Sequence, residues 1–192
     1  MDSNEGKLII PKTGRIGRLA KIIESETNQD ILFKVMHGVE QYTSTSNYKQ
    51  KASWVRGAIE RLELEVGVEK SKAILEQCGR KCCGVTSRKR AKQAMNESTS
   101  LKEFIEKLNA RGIGGGRLKL EDKNIITGGY DICYCGQVKH TQEPFLTDTY
   151  CHCSVGWYKQ LFESTLNKSV NVELVQSIIR GSKTCEFVIH IE

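Results

Sequence analysis

The sequence predicts an α+β fold in one compact domain: a helical half over residues 1–110, packed on an antiparallel sheet, interrupted by one helix, over residues 111–192. Three features predict it. Apolar residues recur at helical spacing from residue 14 to about residue 110. A glycine-rich run at 112–116 then breaks that spacing, and the chain ends in two alternating apolar segments.

In the first half, Ile16, Leu19, Ala20 and Ile23 fall on one helical face. Ile31, Leu32, Val35, Met36 and Val39 make a second face, and Trp54, Val55, Ala58, Ile59 and Leu62 a third. QYTSTSN (41–47) and ESTS (97–100) are rich in capping residues. Ser100 with Glu103 forms a capping box ahead of Leu101, Phe104, Ile105 and Leu108. RGIGGG (111–116) stops that helix, and RLKLEDKNIITGG reads as two short strands joined at 121–124. Next, Trp157, Leu161, Phe162, Thr165 and Leu166 recur at helical spacing, with Ser154 the expected N-cap. VNVELVQSII (170–179) and TCEFVIHI (184–191) flank a turn at 180–183 and predict a terminal antiparallel hairpin. Cys185, Phe187, Ile189 and Ile191 share one face of its last strand, which places Cys185 in the core.

With 39% hydrophobic residues, the 192-residue chain has enough apolar material for a single core. Its opening, MDSNEGKLIIPK, is polar and acidic before it is apolar, the reverse of a secretory leader. No stretch has the apolar length of a membrane helix. The expectation is a cytoplasmic protein without a membrane partner. The net charge of +6 lies in the first part: residues 1–110 hold 20 Lys and Arg against 14 Asp and Glu, and residues 111–192 hold 9 of each. The run at 77–96 carries six basic residues, from Arg80 to Lys92, and no acidic one. It has no aromatic to stack a base, so it reads as a solvated face, which argues against nucleic acid as a partner.

Eight cysteines carry the chemical signal. In a reducing compartment thiols serve as metal ligands, nucleophiles or core residues more often than as disulfides. Cys133 and Cys135 in CYCG, with Cys151 and Cys153 in CHC, form two close pairs about fifteen residues apart, the scheme of a four-thiolate zinc or iron–sulfur site. The pairs are CxC rather than CxxC. On an ideal strand i and i+2 side chains stand about 6.5 Å apart, so chelation needs a bend, which Gly136 and the helix start after Cys153 would supply. A helix N-terminus also favours thiolates at Cys151 and Cys153. His152, between them, points away on an extended chain and reads as solvated, while packing as small apolar residues is the alternative role of the four thiols.

In CGRKCCG, Cys78 and Cys82 lie at i and i+4 on one helical face and Cys83 turns away. The basic residues around them would lower a thiol pKa, so all three are candidate reactive or supporting thiols. No Ser/His/Asp order or carboxylate pair stands out, so an enzyme here would be thiol- or metal-based. The run Gly112, Gly114, Gly115 and Gly116 follows a helix and precedes a strand, the reverse of a phosphate loop. It reads as a flexible connector, with a ligand-facing loop as the alternative.

Residues 150–191 resemble the C-terminal part of the 4-vinyl reductase family of small-molecule-binding domains. The similarity rests on a cysteine before a helix (Cys151 or Cys153), Gly156, Leu161 and Phe162, VNVEL with Glu173, and the closing GSKTCEFVI with Gly181, Cys185 and Phe187. Relatives of that fold include the bacterial 2-amino-thiazoline-carboxylate hydrolase family and subunits of the TRAPP tethering complex. The whole chain also looks like a group of uncharacterised bacterial proteins with GRKCC, CYCG and CxCSxGW motifs. The resemblance implies helices covering one face of an antiparallel sheet, often in a homodimer, around an elongated small-molecule pocket. It does not extend to the two CxC pairs, which those families do not uniformly carry. The function expected is a small-molecule-binding or sensory domain with a thiolate metal site at Cys133, Cys135, Cys151 and Cys153. The alternative is a cysteine-dependent hydrolase acting on a small heterocyclic or amide substrate.

Overall fold

Eight helices and four strands account for most of residues 9–192, which the computed structural model describes. Residues 1–8, most of the polar opening read as unlike an export leader, lie outside them. Seven helices come first: α1 Gly14–Glu26, α2 Gln29–Val35, α3 Val39–Ser44, α4 Tyr48–Val66, α5 Val68–Cys82, α6 Val85–Asn96 and α7 Leu101–Ala110. The three apolar faces anticipated are buried, Ile31 only partly, but the second is divided: α2 ends at Val35 and Val39 opens α3 after a break at Gly38 (φ +74). Side-chain caps fix several starts. Asn28 Oδ1 accepts from the Ile31 N–H at 2.9 Å, and Asn47 Oδ1 accepts from the Lys49 N–H at 2.9 Å. Ser100 Oγ accepts from the Glu103 N–H at 3.2 Å, but the Glu103 carboxylate accepts from the Thr99 N–H at 2.7 Å, one residue beyond the Ser100 N–H that a reciprocal box requires.

The second half brings β1 Lys119–Asp122, β2 Ile125–Tyr130, α8 His152–Leu166, β3 Val170–Gln176 and β4 Cys185–Ile191. The four strands form one antiparallel sheet in the order β1-β2-β4-β3. The fold is therefore α+β, with the helices mostly N-terminal and the sheet C-terminal. Cys185, Phe187, Ile189 and Ile191 alternate as buried residues along β4, and register places Tyr130 of β2 opposite Cys185.

Buried side chains gather in two clusters. One joins α1, α2, α4 and α5 to Val138, Phe145, Tyr150 and Ile179. The other joins α6, α7 and α8 to the inner face of the sheet, around Phe104, Tyr158, Phe162 and Phe187. No helix among the described residues is long and apolar enough to cross a membrane.

Two local expectations change. Ser154 does not cap α8: a 3-10 turn at Thr149–Cys151 runs straight into the helix, which starts at His152. Cys151 before it is already helical (φ −72, ψ −11), so the extended residue that a side-chain cap requires is absent. The glycine run is not a loose connector either. It folds into a tight turn, Ile113–Gly116, with Gly114, Gly115 and Gly116 at positive φ, whose Gly114 carbonyl accepts from the buried Tyr158 hydroxyl at 2.9 Å. Gly115 has φ +87, and a Cβ there would overlap the Gly129 carbonyl and the Tyr130 ring, so only glycine fits.

Candidate functional site: a thiol-lined cavity

A cavity of about 310 Å³ lies at the seam of the two clusters, with residues of both in its wall. That volume is at the small end of ligand pockets. Four elements converge on it: the end of α5, the first turn of α8, the β2–β4 end of the sheet, and the glycine turn at 112–115. Residues 133–138 close the remaining side, held by a turn in which the Val138 and Lys139 N–H groups donate to the Cys135 carbonyl at 3.1 and 2.9 Å.

Six thiols line the cavity: Cys82, Cys133, Cys135, Cys151, Cys153 and Cys185. The four cysteines of the two CxC pairs thus share one space, joined by Cys82 and by Cys185, which alternation alone assigns to the core. Cys78 and Cys83 stay outside it, each buried in a different cluster, as their opposite faces of α5 dictate.

Close contacts join members of the two CxC pairs to cysteines outside them, and within the first pair the Cys135 backbone N–H donates to Cys133. Cys153 donates its S–H to the sulfur of Cys82, and Cys151 donates to Cys185. Cys135 takes an Arg15 Nη1–H at 2.7 Å and shares a hydrogen bond with the Tyr150 hydroxyl at 2.8 Å. Cys133 has its thiol pushed up to about 11 by burial. Among the described residues, no three His, Cys, Asp or Glu side chains gather as a metal-holding group.

The crossing of α5 and α8 explains the first contact. Gly79 lies three residues before Cys82, and Gly156 three residues after Cys153, so each glycine shares a helical face with its cysteine. A Cβ at Gly79 would overlap the Cys153 carbonyl, and one at Gly156 would overlap the Glu76 carbonyl. The two backbones therefore touch, and the thiols meet across the contact. Ion pairs flank it, Arg80–Glu163 at 2.6 Å and Lys159–Glu76 at 3.0 Å. Arg80, counted at first in a free basic run, is thus engaged with Glu76 and Glu163.

Electrostatics separates the thiols. Cys82 is brought down to about 6, first by the hydrogen bond from Cys153 and then by Arg18 and Arg15, against the opposing effect of burial. Cys185 comes down to about 7 through the bond from Cys151, helped by the Ile178 N–H at 3.3 Å. Their donors Cys153 and Cys151 move well up, because each proton is held by its partner and each thiol is shielded from water. This reverses the expectation of thiolates at the start of α8: donation and burial outweigh the helix terminus. Cys78 and Cys83 are raised by burial to about 12 and about 11. His152 is half-buried rather than solvated, and burial lowers its pKa.

The rest of the wall is aromatic and nearly uncharged. Tyr130, Tyr150 and Trp157 face the cavity, while Tyr134 and Arg15, both exposed, stand at its mouth. Behind Tyr130 the Tyr158 ring stacks at 6.0 Å and Phe187 packs edge-on at 5.7 Å. Arg15 is the one cationic residue in the lining, and no sequence pattern points to it: it meets Cys135 across 120 residues of chain.

Fold and site together define an α+β domain built around a thiol-lined cavity. The chain belongs to a family of unknown function, DUF6144, whose model matches residues 15–192. No curated protein matches it. Among solved structures it is similar to a trafficking protein particle complex subunit 3 from Naegleria fowleri, solved covalently bound to palmitic acid. That similarity has a TM-score of 0.48 and 15% identity, covering 76% of this chain and 95% of that one.

Proposed function

We propose that this protein is a small-molecule-binding domain whose ligand enters the thiol-lined cavity, either to be carried or to be sensed. The observation that carries the reading is the composition of that wall: four large aromatics, six sulfurs and a single cation, Arg15, at the mouth. Such a wall suits a small flat apolar ligand with one anionic group, its rings against Tyr130 and Trp157 and its charge at Arg15. The resemblance of residues 150–191 to 4-vinyl reductase domains supports a small-molecule ligand. No histidine or carboxylate stands among the described lining residues, which favours binding over the hydrolase alternative.

Titration calorimetry with a series of aromatic carboxylates, benzoate to naphthoate, tests the reading, with the neutral amides as controls. Arg15→Ala is expected to weaken carboxylate binding about tenfold, since one charge-assisted hydrogen bond contributes about 1.5 kcal/mol or more, and to leave the amides unchanged. Carboxylates that fail to bind, or that bind the variant equally well, overturn it.

A thiolate site for zinc or an iron–sulfur cluster at Cys133, Cys135, Cys151 and Cys153 is the second reading, supported by the four thiols sharing one cavity. It ranks second because Cys151 and Cys153 would have to leave Cys185 and Cys82 to reach an ion. Metal analysis and a visible spectrum of anaerobically purified protein decide it: a colourless, metal-free protein with freely reactive thiols removes it.

A further inference from the structure

The α5–α8 crossing does more than shape a wall. It sets two thiols against each other: Cys82, last residue of α5, and Cys153, in the first turn of α8. Backbone contact at Gly79 and Gly156 and two flanking ion pairs leave neither helix room to slide, so the pair is preformed. Both sulfurs open onto the cavity, and Arg18 reaches the Lys81 carbonyl beside Cys82, keeping a cation at that helix end. Two neighbouring thiols facing one cavity, one of them at a helix end beside a guanidinium group, are the arrangement that thiol–disulfide exchange needs.

We infer that Cys82 and Cys153 form a thiol–disulfide exchange site whose substrate is a low-molecular-weight disulfide admitted through the cavity. This rests on the cavity being open to small molecules, as proposed above. The Cys82 thiolate attacks one sulfur of the ligand's disulfide; a Cys82–ligand S–S bond forms, the ligand's own S–S bond breaks, and the first ligand thiolate leaves. That thiolate takes the proton of Cys153. The Cys153 thiolate then attacks the Cys82 sulfur, forming the Cys82–Cys153 bond and expelling the second ligand thiolate, which is protonated by solvent. Two electrons pass from the protein dithiol to the ligand, one disulfide is exchanged for another, and two small thiols are released. Arg15, in the same lining, and Arg18, on the Lys81 carbonyl, favour Cys82 as the attacking thiol by stabilising negative charge there.

The reduced full-length protein, mixed anaerobically with bis(2-hydroxyethyl) disulfide at pH 7, provides the test, read by intact mass and tandem mass spectrometry. Wild type is expected to release two mercaptoethanol per chain and to gain a bond joining Cys82 to Cys153. Cys153→Ser should halt at a persisting adduct on Cys82, and Cys82→Ser should react at least tenfold more slowly. Alkylation of wild type with substoichiometric iodoacetamide gives a check that needs no variant to fold, and Cys82 should be the first residue labelled. A different linkage in the oxidised protein, first labelling at another cysteine, or unchanged kinetics in Cys82→Ser overturns the inference. Naphthoate separates it from the ligand-binding reading. Exchange at Cys82 with no naphthoate bound keeps the exchange site and discards the aromatic-anion ligand, whereas naphthoate binding without exchange does the reverse.

Discussion

At the scale of single residues, eight chemically identical side chains occupy very different environments, and what surrounds each sulfur decides what it can do. Cys82 receives a hydrogen bond and sits near two guanidinium groups; Cys78, one turn earlier on the same helix, is buried among apolar neighbours. A thiol near 6 is mostly thiolate at neutral pH and protonates as the pH falls through 6. The iodoacetamide rate at Cys82 is therefore expected to be near its plateau at pH 7.5 and to drop about tenfold by pH 5. Cys153→Ala, which removes the donor, should move that midpoint upward toward an ordinary thiol, and rates measured by quantitative mass spectrometry across the range check both. The CxC spacings picked out four of the six lining thiols because chelating pairs are short-range signals. Arg15 and Tyr150 escaped because they act on Cys135 through contacts that exist only after folding. Cys185 was legible as buried, yet alternation cannot tell a residue that packs against carbon from one that faces a void.

At the scale of elements, periodicity and caps located α1, α2, α4, α7 and the closing hairpin, because both reflect local energetics. Crossings do not. Nothing in GRKCC or CSVGW marks Gly79 and Gly156 as paired, since each is an ordinary glycine until the other helix arrives. Gly156→Ala would drive a methyl into the Glu76 carbonyl and push α5 off α8. Its cost is expected to reach about 3 kcal/mol, at the upper end of overpacking, measurable by urea denaturation. The same variant should slow formation of a Cys82–Cys153 bond. If its stability and thiol reactivity match wild type, the helices are not in backbone contact. Ser154 illustrates the opposite error: a good capping residue stands at the right place, but the 3-10 turn before it continues into the helix and leaves nothing to cap.

At the scale of the whole molecule, the cavity lies where two buried clusters meet, so a ligand there touches helices from the first half and strands from the second. Occupancy should therefore be felt by the entire fold. At a ligand concentration one hundred times Kd the native state gains about 2.7 kcal/mol, which a thermal scan reads as a rise in Tm; a bound ligand that leaves Tm unmoved would place its site elsewhere. The division into a helical half and a sheet half was legible from the change of hydrophobic period near residue 110, whereas the position of the void was not, since it arises from how the two halves fail to fill the space between them. The glycine turn gives that void a lasting asymmetry. Its side is bare backbone, and at Gly115 even a methyl group is refused, so amino-acid replacement there cannot reshape it. Any drift in what the pocket accepts has to be written on the facing side, in thiols and rings, where each change of taste also risks a change of reactivity.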